Sequence, residues 1–226
     1  MNVAIIGANR GIGLGFVRYY LQQGHRVWAS YRHSPGGLDD IDNDHLSSFQ
    51  WDVTRAYTED DIKARGLPNG IDLLINNAGI YGPGQDGQEL GHITADVMSS
   101  VFEVDCVGPL MTVKALKNRV IHASGRIANL SSKMGSSADN SSGGTYAYRA
   151  AKAALIIVSK SLAVDLADDG VRVITLHPGW VRTDMTHQTG LVDIEESVAG
   201  MTQVIAHIAD YPLGAFVAYD GQVVPY

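Results

Sequence analysis

The chain has 226 residues, 45% of them hydrophobic and 18% charged, with a formal net charge of −7. That balance suits one soluble α/β domain over 1–226 and argues against a nucleic-acid partner, because no basic run offsets the negative charge. No stretch is long and apolar enough to span a bilayer, the first seven residues lack a signal-peptide pattern, and the eight histidines show no metal-ligand spacing. The expectation is therefore a cytoplasmic protein with no membrane partner and no metal. Cys106 is the only cysteine. It permits no intramolecular disulfide, fits a reducing compartment and reads as a small buried apolar residue.

Residues 2–6 read as a short buried strand. Gly7-Ala8-Asn9-Arg10-Gly11-Ile12-Gly13 follows, then a helical pattern over 14–23 with Gly24 as its stop. Strand, glycine turn and helix in that order make an anion site: the helix start offers free N–H groups, and glycines let a pyrophosphate approach. The spacing is Gly-x-x-x-Gly-x-Gly. Residues 25–30 form a second strand, ending at Tyr31-Arg32. In a dinucleotide fold an acid there would bind the ribose 2′-hydroxyl of NAD, whereas a cation suits the 2′-phosphate of NADP. Arg32 stands there and Arg10 is a second cation, so NADP(H) is the expected cofactor, with NAD(H) also admissible.

A third strand at 48–51 ends in Asp52-Val53. Asp52 can accept from an adenine amine or cap the next helix. A weak helix at 61–66 and a turn at Asn69-Gly70 lead to an apolar fourth strand, 71–75. Asn76-Asn77-Ala78-Gly79 closes that strand with small and amide residues that permit close ligand approach. Residues 81–91 are a Gly/Pro loop. Residues 93–118 read as one long helix carrying Asp105, kinked at Gly108-Pro109.

The fifth strand, 126–130, places Ser132 at its carboxyl end, where open parallel sheets hold their sites. A Ser/Gly loop leads to a helix over 145–166 containing Tyr148-Arg149-Ala150-Ala151-Lys152. Tyr148 and Lys152 are one helical turn apart and share a face. An ammonium beside a phenol is expected to lower the phenol pKa toward the working range. Residues 153–158 are apolar nearly all round, so the helix needs a second burial surface, and a partner subunit is the simplest one. A sixth strand, 171–176, runs into His177-Pro178-Gly179-Trp180-Val181-Arg182-Thr183-Asp184-Met185. Pro178 and Gly179 can wall a nicotinamide, and Thr183 can reach its carboxamide or the phosphates. A helix over 194–209 and a strand over 215–219 complete the pattern. The fold expected is α/β, a single-domain Rossmann-like, doubly wound parallel seven-stranded sheet with helices on both faces.

Gly7-x-x-x-Gly11-x-Gly13, Asp52-Val53, Asn76-Asn77-Ala78-Gly79, Ser132, Tyr148-x-x-x-Lys152 and Pro178-Gly179 together resemble the short-chain dehydrogenase/reductase family over almost the whole chain. The pattern around Ser131 to Gly135, Tyr148-Arg149, Gly179 to Met185 and Tyr219-Asp220-Gly221 looks like its C-factor- and sniffer-type carbonyl reductases. The resemblance implies hydride transfer between a nicotinamide cofactor and a small-molecule carbonyl or alcohol. In it Tyr148 is the general acid/base, Ser132 holds the substrate oxygen, and Lys152 tunes Tyr148 and binds the nicotinamide ribose. The cofactor-binding set it implies is Gly7, Asn9, Arg10, Gly11, Ile12, Gly13, Arg32, Asp52, Val53, Asn77, Ala78, Gly79, Tyr148, Lys152, Pro178, Gly179, Val181 and Thr183. Asp105 stands where the family carries an asparagine whose backbone carbonyl holds a relay water, and it enters the catalytic set as a fourth member. A homodimer or homotetramer through the 93–118 and 145–166 helices is expected. The alternative is a non-catalytic dinucleotide sensor or signalling protein on the same fold. A sugar-nucleotide epimerase is disfavoured, because no room remains after the sixth strand for a substrate domain.

Overall fold

In the computed structural model residues 1–226 are described, the side chain of Gln85 excepted. The elements run β1 (Asn2–Ile6), α1 (Gly11–Gln22), β2 (Arg26–Tyr31), β3 (Leu46–Gln50), α2 (Glu59–Ala64), β4 (Leu73–Asn76), α3 (Ala95–Phe102), a π-turn (Glu103–Val107), α4 (Gly108–His122), β5 (Arg126–Leu130), α5 (Tyr146–Asp165), β6 (Arg172–His177), α6 (Ile194–Ala206) and β7 (Phe216–Ala218). Among the described residues the seven strands form one parallel sheet in the order β3-β2-β1-β4-β5-β6-β7. The order reverses direction between β1 and β4, and the crevice at that switch point is where such sheets bind ligands.

Alternation along the strands builds two cores. Val3 and Ile5 of β1, Leu73 and Ile75 of β4, and Ile174 and Leu176 of β6 face α1 and α6, meeting Phe16, Val17, Val198 and Met201. Their neighbours Ala4, Ile6, Leu74 and Val173 face the other layer, meeting Val113 and Leu116 of α4 and Ala163 of α5. Both faces are covered, which is why the strands read as continuous apolar runs. The register is set by the same alternation: Ile5 pairs with Ile75 and Ile6 with Asn76, so β1 and β4 end together at the crevice.

Some boundaries move. Helix α1 begins at Gly11, three residues before the apolar pattern, because glycines carry no periodic signal yet still join the helix. Strand β3 begins at Leu46, where its ladder to Val27 starts. Helix α2 begins at Glu59 behind a capping box, in which Thr58 accepts from the Asp61 N–H and Asp61 accepts from the Thr58 N–H. The largest correction concerns the helix expected over 93–118. Its path is helical from Ala95 to His122, but the irregularity is a π-turn at Glu103–Val107, upstream of Gly108-Pro109. Pro109 has no N–H to return to the carbonyl four residues back, that of Asp105, so the regular ladder fails there. Pro109 itself sits in the first turn of α4, where a missing donor is harmless.

Candidate active site

The carboxyl ends of β1, β4, β5 and β6 open on a cleft of about 410 Å³. Its floor on one side is the glycine turn. Gly7 has φ +79°, and a Cβ there would lie 2.6 Å from Ala78 Cα. A Cβ on Gly13 would collide with the Gly7 carbonyl oxygen. The turn is thus packed tightly against the end of β4, and Asn77 fixes it there by donating to the Gly7 carbonyl at 2.5 Å. Ser30 Oγ accepts from the Gly7 N–H at 2.9 Å. Helix α1 has no side-chain cap and no acid in its first turn, so its first N–H groups stay free. A glycine cradle under an uncapped helix start fits a pyrophosphate, the group expected there.

The expected cofactor residues separate into those that line the cleft and those that do not. Gly7, Asn9, Arg10, Gly11, Ile12, Arg32, Val53, Asn77, Ala78, Gly79, Pro178 and Thr183 line it with Tyr148 and Lys152. Gly13 lies beneath, as packing for the turn. Asp52 directs its carboxylate to the Thr54 N–H (3.0 Å) and hydroxyl (2.8 Å), closing a local turn rather than capping α2. Gly179, at φ +88°, is pressed against the Tyr219 ring. Val181 is buried and bridges to Val192. Both shape the wall from behind. Arg10 crosses the mouth to Asp184 at 3.3 Å, an exposed pair. Arg32 is exposed at the rim, its carbonyl accepting from Gln50 Nε2.

The other side of the cleft is made of buried polar side chains. Tyr148 and Lys152 project from α5 and are 9% and 5% exposed. Lys152 Nζ lies 5.5 Å from the Tyr148 ring centre and donates to the Leu130 carbonyl at 3.2 Å. Ser131 ties β5 to α5 by donating to the Lys152 carbonyl at 2.8 Å. Ser132 accepts from the Met134 N–H, and its hydroxyl is placed to favour the ionised form of the Tyr148 phenol. The His177 Nδ1 accepts from the Lys133 N–H at 3.3 Å, which braces the Ser132 segment. Burial, with Lys133 nearby, holds the imidazole down at about 4, so it is neutral.

Asp105 emerges from the π-turn with no solvent exposure. Its Oδ1 accepts from the Ile80 N–H at 2.8 Å, and its Oδ2 lies 3.2 Å from Lys152 Nζ, an ion-pair contact rather than an aligned hydrogen bond. This changes the electrostatics expected from sequence. Burial raises the Tyr148 pKa, and the Asp105 carboxylate adds to the rise; Lys152 and Ser132 only partly offset it. The phenol therefore titrates above its ordinary value, not below. Burial alone would lower the Lys152 pKa, but Asp105 and Tyr148 outweigh it and the net direction is up.

One residue of the site was not legible in the sequence. Gln88 is fully buried. Its Oε1 accepts from the Tyr148 N–H at 3.0 Å, while Nε2 donates to the carbonyls of Tyr81 (2.7 Å) and Pro83 (3.1 Å). The residue before α5, Thr145, is left-handed and makes no cap bond, so a side chain 60 positions away satisfies a free N–H of the first turn. No local signal marks a glutamine in a Gly/Pro loop for that task. The same contact sets Tyr81 against the Tyr148 ring, 5.0 Å between centres. Tyr81, Leu90, Met134, Thr145 and Arg149 line a second hollow of about 460 Å³. Met185 lines the main cleft, whereas Trp180 is half exposed.

Comparison with known proteins gives the family. A family model for short chain dehydrogenases matches residues 1–191. The "C-signal" protein of Myxococcus xanthus is 38% identical over 157 residues, which are 69% of this chain and 93% of that protein. The carbonyl reductase Sniffer of D. melanogaster superposes with a TM-score of 0.92 at 29% identity, covering 100% of this chain and 99% of that one. The NADPH-bound carbonyl reductase from chicken fatty liver superposes with a TM-score of 0.89 at 30% identity, over 100% and 98% of the two chains. The chain belongs to the short-chain dehydrogenase family, oxidoreductases that interconvert carbonyl and alcohol groups with a nicotinamide dinucleotide.

Proposed function

We propose that this protein is an NADP(H)-dependent carbonyl reductase in which Tyr148 is the proton donor. The observation that carries the reading is the convergence of Tyr148 and Lys152, with Ser132 against the Tyr148 phenol, at the carboxyl end of the sheet beside an uncapped glycine cradle. The cofactor supplies or accepts hydride. Gly7, Gly11 and the first N–H groups of α1 would hold its pyrophosphate, and Pro178 and Thr183 would flank its nicotinamide end. Arg32 and Arg10, both at the cleft mouth, suit a 2′-phosphate. The NADPH-bound carbonyl reductase from chicken fatty liver, a structural relative, supports the same choice.

Ser132 would orient the substrate oxygen and Tyr148 would protonate it as alkoxide charge develops. Lys152 would hold the ribose and steady the phenol. A phenol kept protonated by burial is suited to the donating step of reduction. The hollow beside Tyr81 and Met134 offers room for the body of a small carbonyl substrate. Exposed Phe102, Val107, Ile157 and Val164, on the segments expected to pair, support a homodimer or homotetramer. Among the described residues no helix is long and apolar enough to cross a membrane, and no cluster could hold a metal. A cytoplasmic location is part of the proposal.

The test is Tyr148→Phe. NADPH-dependent reduction of a panel of aldehydes, ketones and quinones should fall by ~100- to 10,000-fold while NADPH still binds. Unchanged turnover would sink the assignment. Tight NADPH binding with no turnover by the unmodified protein would favour the sensor alternative.

A further inference from the structure

The catalytic lysine of this chain has a buried counter-charge. Lys152 Nζ has two acceptors around it, Asp105 Oδ2 at 3.2 Å and the Leu130 carbonyl at 3.2 Å. The Asp105 carboxylate has two donors around it, Nζ and the Ile80 N–H. Burial raises the Asp105 pKa, and Lys152 and the Ile80 N–H work against that rise; acceptors about the nitrogen and donors about the carboxylate favour the ion pair over a neutral pair with the proton moved across. The backbone approaches the pair closely: a Cβ on Gly79 would stand 3.3 Å from both Asp105 Oδ1 and Lys152 Nζ. The charged and titratable groups facing this cluster are Tyr148 and Lys152 from α5, Asp105 and Cys106 from the π-turn, and Tyr81 from the loop after β4. The Ser132 hydroxyl faces the phenol from the end of β5.

An ammonium alone would favour phenolate at Tyr148. An ammonium paired with a carboxylate presents a dipole, and its pull on a ring 5.5 Å away is opposed by the carboxylate. We infer that Asp105 is a positioning residue that pairs with Lys152, weakens the ammonium's pull on Tyr148, and keeps the phenol in its proton-donating form to higher pH. The π-turn is what delivers the carboxylate, since it projects Asp105 inward with Oδ1 hydrogen-bonded to the Ile80 N–H and Oδ2 in ion-pair contact with Lys152. The inference rests on the reading of Tyr148 as proton donor only for its consequence in turnover; the charge coupling stands on the geometry.

The experiment has three readouts. First, kcat for aldehyde reduction at saturating NADPH is followed against pH for the unmodified protein, Asp105→Asn and Asp105→Ser. The alkaline fall in rate should move down by about one pH unit in both variants. Second, phenolate formation in the cofactor-free proteins is followed by near-ultraviolet difference absorbance, with Tyr148→Phe as the subtraction. The Tyr148 transition should move the same way. Third, the Asp105 carboxyl carbon of the unmodified protein is titrated by NMR and should be ionised at neutral pH. This last measurement decides the matter even where loss of one partner of a buried pair prevents a variant from folding. A protonated Asp105 at neutral pH, or folded variants whose rate profile and phenol titration superimpose on the unmodified protein, would overturn the inference. Retained turnover in Tyr148→Phe would instead remove the parent reading, while the cofactor-free titration would still report on the coupling.

Discussion

The two sides of the cleft are built by different means. The dinucleotide side is backbone: glycines, free N–H groups and the close approach of the β1–α1 turn to Ala78. The opposite side is side chain: a phenol and an ammonium from α5, a carboxylate from the π-turn and a hydroxyl from the end of β5. Steric exclusion shapes the first, because a methyl group has nowhere to go. Charge balance shapes the second, because each buried ionisable group depends on the others for its state. The first side should therefore fail by losing structure and binding, and the second by losing rate or shifting with pH.

Ser132→Ala should have the largest effect in this set. With its hydroxyl gone, kcat should fall ~100- to 1,000-fold while NADPH affinity and melting temperature stay close to those of the parent. Equal losses in binding and rate would blur the division between the two sides. Gly13→Ala strikes the other side. The added methyl meets the Gly7 carbonyl, which belongs to the backbone and cannot swing away. Destabilisation of about 3 kcal/mol, with loss of NADPH binding, is expected from denaturant melts and fluorescence titration. Gly91→Ala, whose methyl would meet nothing within 4 Å, serves as the control and should change stability by no more than about 0.5 kcal/mol.

His177 gives a pH-dependent version of the contrast. Its folded pKa, about 4, lies below the ordinary 6.5. The unfolded chain thus takes up the proton first as pH falls. The stabilising contribution is complete above about pH 6.5 and is lost on descending toward about pH 4. The loss should be on the order of 2 kcal/mol once partial exposure is discounted. Urea melts at several pH values should show His177→Asn lacking this component; identical slopes would refute it. Apart from the Gly91→Ala control, the smallest effect belongs to Arg32→Ala. Because Arg32 is exposed, the ratio of NADPH to NADH affinity should drop by about tenfold, measured by fluorescence titration of both cofactors. An unchanged ratio would move the 2′-phosphate contact to Arg10.

Legibility in the sequence followed the same division. The glycine turn, the Asn76-Asn77-Ala78-Gly79 strand end and the Tyr148/Lys152 spacing are short-range patterns, and a spacing can be read without knowing what lies across from it. The seven strands were legible because burial on both faces leaves continuous apolar runs. Strand and helix ends were less so, since ladders and caps, such as Leu46 with Val27 or Thr58 with Asp61, decide them. Asp52 and Val181 were marked as cofactor residues by motif, yet one closes a local turn and the other packs behind the wall. Gln88 could not be found at all, because its task exists only once the loop after β4 meets the start of α5.

By itself the sequence determined the doubly wound sheet, the glycine cradle and the Tyr148/Lys152 spacing, all of which rest on local periodicity and spacing. The tertiary structure decided the electrical state of that pair. Burial and the Asp105 carboxylate, brought from a π-turn 47 positions before Lys152, reverse the shift that the Tyr148/Lys152 spacing alone implies. A pKa depends on everything within a few ångströms and on the access of water, and neither is written in the order of residues along the chain.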